Sequence, residues 1–470
     1  MPSPVTGRAL PVLAALALTM TLTATGTAVA SGGHAAPAGT PLAGTATGTA
    51  PTDTAPVDPA APAATLQGTA FAVEDSCSPL PAGARAKLRS AVTACVSVDG
   101  ASGKAARTKA LVPAADDPGT GDDDADVPDT DPEFEPDAPD IEPPAPACVV
   151  TNPGMWSWSR TGGLCLNGAE ITYTLYDQYA KPVGTGLIRV DSTLATSYKS
   201  LDLNESITAK LVRVTGEVKS LGVKMEVSCD AGCKTTTKQP WLGTPNLTPG
   251  QEKTGKTKYS GDAFAANTTR SSFRTSYKMY VLMPGSTPLD PNASWSSPTG
   301  GEIRCDAEQP KLRGCVIPTN DLPVLSYSRS HPKYAIVVPI YEDIMRRRGT
   351  DVLTAANQST AKTNRAATCT PFTNLYPTQK NKDTCDEFPP ASTKEGGQDG
   401  NLCAELTPQV VNGVWSAPAT WPNRPTTGTE TCVRLHVAGR PNYSAGGVLG
   451  SLRKYQRLVD GDRFRIEFTA

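Results

Sequence analysis

The sequence predicts a multidomain exported chain. It has a disordered N-terminal part, a β-rich, sandwich-like middle domain and a small disulfide-bonded α+β domain at the C terminus. Three observations carry this. The 12 cysteines all lie beyond the first 30 residues and fall in sequence-local pairs. Apolar and polar residues alternate with period two in several runs between Cys148 and Ser326, as half-buried strands require. The last stretch joins a helix-spaced apolar set to one more alternating run.

Residues 1–30 read as a signal peptide. Arg8 gives the positive start, Ala9 to Leu22 an apolar run, and Ala28-Val29-Ala30 an A-x-A cleavage site. A membrane anchor is the other reading, and the run is short and broken by threonine for a span. The mature chain is expected to be extracellular, with no membrane association. In that compartment an even cysteine count argues for disulfides. The expected pairs are Cys77/Cys95, Cys148/Cys165, Cys229/Cys233, Cys305/Cys315, Cys369/Cys385 and Cys403/Cys432, although sequence alone leaves connectivity open. Structural zinc fits poorly: the histidines are His34, His331 and His436, and no pair of CxxC units occurs.

Residues 31–70 are Ala, Thr, Pro and Gly with almost no bulky apolar side chain, so no core can form there. Residues 71–113 form a small cysteine-stapled segment, with a short helix expected over Ala84 to Cys95 from the spacing of Leu88, Val92 and Cys95. Residues 114–147 are an acidic, Pro-rich linker. Like charges and prolines keep such a chain extended. An EF-hand needs glycine at its sixth loop position, where this run has Val127. Asp116 to Glu142 holds 13 acidic residues and no Lys or Arg, which leaves 44 basic against 33 acidic residues (46 less 13), or +11, elsewhere. Such a body can bind polyanions; ordinary surface lysine accounts for the same count.

Residues 148–326 form the β-rich domain. Ile171, Tyr173 and Leu175 alternate with polar residues, as do Val223, Met225 and Val227, and Phe273 to Met283 is a further strand. Arg304 to Cys315 reads as a disulfide-closed loop. No catalytic constellation stands out, and the role of this domain is open.

Residues 327–470 change character. Tyr341 to Arg348 is a short helix ending in Arg346-Arg347-Arg348, and Lys362 to Ala367 a second. Ser444 is the expected N-cap of a helix that places Val448, Leu449, Leu452 and Tyr455 on one face. Asp460-Gly461-Asp462 is a turn, and Phe464, Ile466 and Phe468 form a half-buried strand. From Tyr327 onward there are 18 Lys/Arg against 13 Asp/Glu, or +5.

Within this domain, "TCDEFPPASTKEGG" (Thr384 to Gly397) gathers Asp386, Glu387, Lys394 and Glu395 beside a cysteine. Carboxylates at this spacing suit a hard divalent cation, Mg²⁺ or Mn²⁺, which takes oxygen ligands and substrate phosphate. Pro389 and Pro390 would place Asp386 and Glu387 in a rigid turn. Gly396 and Gly397 would admit a ligand close to the backbone, and Lys394 would meet phosphate as a point charge. A disulfide at Cys385 would pin the backbone at Asp386. A solvated surface loop is the alternative reading of the same spacing.

This stretch resembles the signature of the NucA/NucB family of secreted bacterial deoxyribonucleases, through Asp386, Glu387, Phe388, Pro389, Ala391, Glu395, Gly396 and Gly397. "TNRAATC" (Thr363 to Cys369) is similar to the segment that precedes the signature. "PNYSAGGVLGSLRKYQRLVDGDRFRIEF" resembles the family's closing segment, with Asn442, Gly446 and Gly447 in place. The resemblance spans the last 140 residues or so. It implies a metal-dependent endonuclease acting on DNA, with Asp386 and Glu395 as catalytic and metal-binding carboxylates. Glu387 is a further catalytic carboxylate and Asn442 an orienting group. Arg365 and Lys394 are candidate phosphate contacts by chemistry.

Two positions depart from the pattern. Where the family carries His-Ile before a helix, this chain has Pro339-Ile340, leaving His331 and His436 as possible bases. Pro390 replaces a larger apolar residue. An active nuclease, an inactive relative that binds nucleic acid or envelope polyanions, and a structural secreted protein are therefore the readings to separate. No feature of the sequence points to an inhibitor protein.

Overall fold

The computed structural model describes residues 67–71, 93–97, 154–177, 179, 181–265, 268–284, 293–309, 311–375, 383–411, 414–416 and 426–470. The expected signal peptide, the acidic linker and nearly all of residues 31–70 lie outside these.

The β-rich part contributes β1 (Gln67–Ala70), β2 (Thr93–Ser97), β3 (Met155–Ser159), β4 (Gly163–Tyr176), β5 (Pro182–Ala195) and β6 (Asp202–Gly216). There follow β7 (Leu221–Cys229), β8 (Lys234–Thr237), β9 (Asn246–Leu247), β10 (Glu252–Ser260), β11 (Arg270–Phe273), β12 (Thr275–Leu282), β13 (Ala293–Ser296), β14 (Ile303–Gln309) and β15 (Leu312–Val316). An eight-stranded sheet runs β1-β3-β4-β5-β6-β10-β8, with β2 also paired to β4. A four-stranded sheet runs β13-β12-β7-β9, and β11-β14-β15 form a third. The first two share one core. Ile171, Ile188 and Ile207 from one meet Met225, Tyr277 and Met279 from the other, while Lys224 and Glu226 face away. This is the sandwich arrangement that the alternation predicts.

Three local expectations change. Thr93–Ser97 is a strand paired with β4, so the helix expected to end at Cys95 does not hold over its described part. Gln67–Ala70, expected to be disordered, pairs with β3. Arg304 to Cys315 is closed by a disulfide as expected, but as a hairpin, with Cys305 and Cys315 directly opposite across β14 and β15 and bonded. Disulfides also join Cys229–Cys233, Cys369–Cys385 and Cys403–Cys432, as expected. Cys165 is disulfide-bonded too.

A carboxylate sits in the sandwich core. Glu205 on β6 is fully buried and accepts from Tyr277 Oη at 2.7 Å, Tyr259 Oη at 2.5 Å and the Ser192 hydroxyl. Burial raises its pKa, and these hydrogen bonds oppose the rise.

The C-terminal part contains β16 (Val324–Ser328), α1 (Val338–Arg348), β17 (Val352–Thr354), α2 (Gln358–Cys369), β18 (Asp383–Phe388), β19 (Ala404–Leu406), β20 (Gln409–Val411), β21 (Val414–Ser416), β22 (Val433–Ala438), α3 (Gly439–Tyr455) and β23 (Arg463–Thr469). Two three-stranded sheets, β16-β23-β17 and β18-β22-β19, enclose with the helices a second core. The boundary expected between residues 326 and 327 falls inside β16, which pairs in parallel with β23. The chain from Pro59 to Ala470 is one compact unit.

The helices are set by their ends. In α1, Pro339 stands in the first turn, where no amide is needed, and Gly349 at φ 66° closes the helix behind three arginines. The α2 helix is longer than expected because Asn357 caps it, accepting from Thr360 N at 2.8 Å. The α3 helix starts at Gly439 and not after Ser444. Pro441 falls within its first turn, which tolerates proline, so nothing forces the later start. Leu449 and Tyr455 are buried as predicted.

Candidate active site

Asp386 and Glu387 lie in strand β18 rather than in a turn; Pro389 and Pro390 follow the strand. Successive side chains of a strand point to opposite faces, so these adjacent carboxylates face different neighbours. Thr384, Asp386 and Phe388 face the apolar core with Val433, Leu435 and Val437 of β22. Asp383, Cys385 and Glu387 share the other face with Arg434 and His436.

On the core face, Tyr341 of α1 donates its hydroxyl to Asp386 Oδ2 at 2.6 Å, and its ring stacks on Phe388 at 4.3 Å. Burial pushes the Asp386 carboxyl up to about 7; the Tyr341 hydrogen bond opposes this, the Glu387 charge adds to it, and Arg365 opposes it. Asn442, in the first turn of α3, donates to Thr384 Oγ1 at 3.0 Å and to Cys385 O at 3.1 Å. The structure thus brings Asn442 and Asp386 to the same end and face of β18.

On the other face, Arg365 of α2 reaches Glu387 at 3.0 Å, with the guanidinium side chain 66% exposed and the carboxylate 5%. Burial raises the Glu387 pKa and Arg365 opposes it. The Cys369–Cys385 disulfide ties the end of α2 to β18 beside it. His436 is buried between Asp383, at 2.8 Å from Nδ1, and Glu405, at 2.9 Å from Nε2. Arg434 completes this group, pairing with Glu405 at 2.7 Å and donating to Thr368 O and Pro371 O. It thereby meets carbonyls that the end of α2 leaves open.

The remaining predicted residues are tied into contacts with the protein's own chain. Glu395 accepts from Thr354 N at 2.8 Å. Lys394 pairs with Asp460. A Cβ on Gly396 would lie 2.4 Å from Pro390 O, and one on Gly397, at φ 77°, 2.3 Å from Asn364 Oδ1. Their lack of side chains therefore admits the protein's own chain. His331 stacks on Tyr334 and accepts from Lys333 N.

The donors near β18 are carboxylate oxygens and sulfurs. Cys369, Cys385 and Glu387 place potential ligand atoms within 4.8 Å of one another, but the sulfurs are bonded to each other, and a disulfide is no thiolate ligand. Hard carboxylate oxygens remain on Asp386 and Glu387, whose charge Arg365 opposes. Asp386, Glu387 and Glu395 do not form such a close group. Sequence reasoning missed Tyr341, Asp383, Glu405 and Arg434. The alternation of Val433, Leu435 and Val437 with Arg434 and His436 was the available signal, since it marks a strand with one polar face.

Residues 341–414 match the family model described as Deoxyribonuclease NucA/NucB, which agrees with the resemblance and supports a deoxyribonuclease-like function for this region. No curated protein matches the chain. Among solved structures, the native conformation of E. coli alpha-2-macroglobulin, determined by cryo-EM, is similar over 30% of this chain and 9% of that one, at 11% identity and a TM-score of 0.17. That likeness carries no weight for fold or function.

Proposed function

We propose that the C-terminal domain is a secreted, metal-dependent endonuclease that hydrolyses DNA phosphodiesters with little sequence preference. The observation that carries this is the pair of buried carboxylates, Asp386 and Glu387, on β18 inside the region that matches the family. Glu387, on the face of β18 that Arg365 reaches, is the carboxylate that would hold Mg²⁺ or Mn²⁺, with Asp386 on the opposite, core face of the strand; a bound ion of this kind polarises phosphate and makes hydroxide accessible near neutral pH. Tyr341 fixes the Asp386 carboxylate. Asn442 fixes the backbone at Cys385 and so the direction of both acids. Arg365 stands at the surface end of Glu387, where its fork suits a phosphate. Contacts of this type hold the DNA backbone and read no sequence. The disulfides, and no helix among the described residues long and apolar enough to cross a membrane, fit an extracellular setting.

The test is nicking of supercoiled plasmid by the full chain without its signal, in Mg²⁺ or Mn²⁺ and in chelator, beside Asp386→Ala and Glu387→Gln. Metal-dependent nicking lost in both variants is the expected result. No nicking in either metal by the folded wild type overturns the enzyme reading.

The placement of the histidines favours the inactive relative. The family histidine position is Pro339, His331 is stacked, and both nitrogens of His436 face carboxylates. That protein would bind DNA without metal, with affinity falling steeply in salt.

A further inference from the structure

We propose that the β-rich domain is the positioning half of the nuclease: its arginines clamp the closing turn of the C-terminal domain and, through that turn, the loop that carries Lys394 and Glu395. The activity arm of this inference rests on the proposed function; its structural arm does not.

The clamp begins where α3 ends. The chain leaving a helix C terminus carries carbonyls that need donors. The β-rich domain donates to those of Gln456 and Arg457, just past the helix, and adds a second donor to that of Arg453, which also accepts from Leu458 N at 3.0 Å. Arg160, in the β3–β4 turn, donates to Gln456 O at 2.7 Å, and Arg304 on β14 donates to Arg457 O at 2.7 Å. Gln309 donates to Arg453 O at 2.6 Å. Charge reinforces these contacts. Asp462 takes Arg160 at 2.7 Å and Arg304 through both carboxylate oxygens, at 2.7 and 2.9 Å.

The exchange is reciprocal. Arg457 leaves the C-terminal domain, is fully buried, and binds Asp306 on β14 and Tyr198 O. Its φ of 44° lies in the left-handed region, which a bulky residue adopts only when its surroundings dictate it. Three guanidinium groups and two carboxylates are thus interleaved. Removing one member leaves its partners buried and uncompensated.

The turn then reaches toward the candidate site. Asp460 pairs with Lys394 and accepts from Asn357 N at 2.9 Å. Ala355 and the turn exchange two backbone hydrogen bonds, with Asp462 O at 2.8 Å and Gly461 N at 3.0 Å. Arg453, whose own carbonyl is held by Gln309, donates to Ala356 O and Ser392 O. Lys394 N donates to Thr354 O at 2.8 Å, and Thr354 N donates to Glu395. Each step from Arg304 to Glu395 is a direct contact.

The experiment uses the full chain without its signal, as wild type, Arg304→Ala, Arg304→Lys and Asp462→Asn. Glu226→Gln, on the outer face of the sandwich, is the control. Hydrogen exchange is followed at residues 354–357 and 392–397, with strand β5 as internal reference, and nicking is resolved into kcat and KM. In Arg304→Ala, exchange at both segments is expected to rise about tenfold or more with β5 unchanged, kcat to fall by a similar factor, and KM to change little. Arg304→Lys, which keeps the charge but not the fork, should recover part of both. Should Arg304→Ala fail to fold, Asp462→Asn, which keeps its shape and one acceptor, carries the same comparison. Faster exchange at 304–309 and 456–459 with no change at 392–397 overturns the proposal. If wild type does not nick at all, the function fails while the exchange pattern still decides the clamp.

Discussion

Asp386 carries a conflict between stability and chemistry at the scale of one residue. Its carboxyl is buried beside Tyr341 with a pKa raised from 3.8 to about 7. A folded-state value above the unfolded one means that the native state holds the proton more tightly. Stability therefore falls as pH rises through that window. In chelator, Asp386→Asn should melt above wild type at pH 8, with the difference closing toward pH 4, while its nicking in Mg²⁺ drops on the order of a hundredfold or more. Melting curves at the two pH values check the first half. A variant that melts no higher at pH 8 would show that the buried carboxylate is already compensated. Arg365 poses a different question. Its guanidinium is largely exposed, so Arg365→Met should cost little stability but should lower the slope of log affinity against log salt by about one. A salt titration of DNA binding reads this directly, and an unchanged slope would remove Arg365 from the phosphate contacts.

Among the elements, β18 depends on its attachments. The Cys369–Cys385 bridge, at a sequence separation of 16, holds it to α2, and Asn442 holds it to α3. Replacing both cysteines by serine should cost about 3 kcal/mol of stability and lower activity more than the double replacement of Cys229 and Cys233, which sits far along the chain from the matched region. Denaturant titration and nicking of the two double variants make the comparison; equal activity loss in both would deny β18 this dependence. Legibility in the sequence followed the range of the interaction. The strand at Ile171, Tyr173 and Leu175 and the Asp-Gly-Asp turn are set by neighbours within a few residues, and the pairs Cys229–Cys233, Cys305–Cys315, Cys369–Cys385 and Cys403–Cys432 by neighbours at most 29 residues apart, and each was readable. The signature residues were readable as a set. Their facing was not, because Pro389 and Pro390 suggested a turn, whereas pairing with β22 makes a strand and sends Asp386 and Glu387 to opposite sides. The α3 start was misplaced because Ser444 is a good cap in isolation, while Gly439 to Tyr443 is held helical within the folded domain. Arg160 and Arg457 meet across a separation of 297 residues, and nothing local marks them.

For the whole molecule, two sets of carboxyls oppose each other as pH changes. Burial raises Asp386, Glu387 and Glu205, so each contributes stability at low pH that is lost as pH rises. Asp462 is the reverse. Burial alone would raise it, but the hydrogen bonds from Arg304 and the charges of Arg160 and Arg304 hold it below its ordinary 3.8. Asp460 is likewise lowered, by Lys394 first. A depressed folded value means stability present above the unfolded value and lost as pH falls through the folded one. In chelator, the chain should therefore be most stable in mildly acidic solution, between the two windows. The alkaline limb belongs to the buried acids of both cores and the acid limb in part to the clamp between the domains. Asp462→Asn separates them: it should lower stability at pH 6, flatten the decline below pH 4, and leave the alkaline limb unchanged. Melting temperatures of wild type and Asp462→Asn from pH 2.5 to 9 test this. An acid limb equally steep in the variant would mean that acid unfolds the protein elsewhere, and that the contacts between its two halves are not where proton binding acts first.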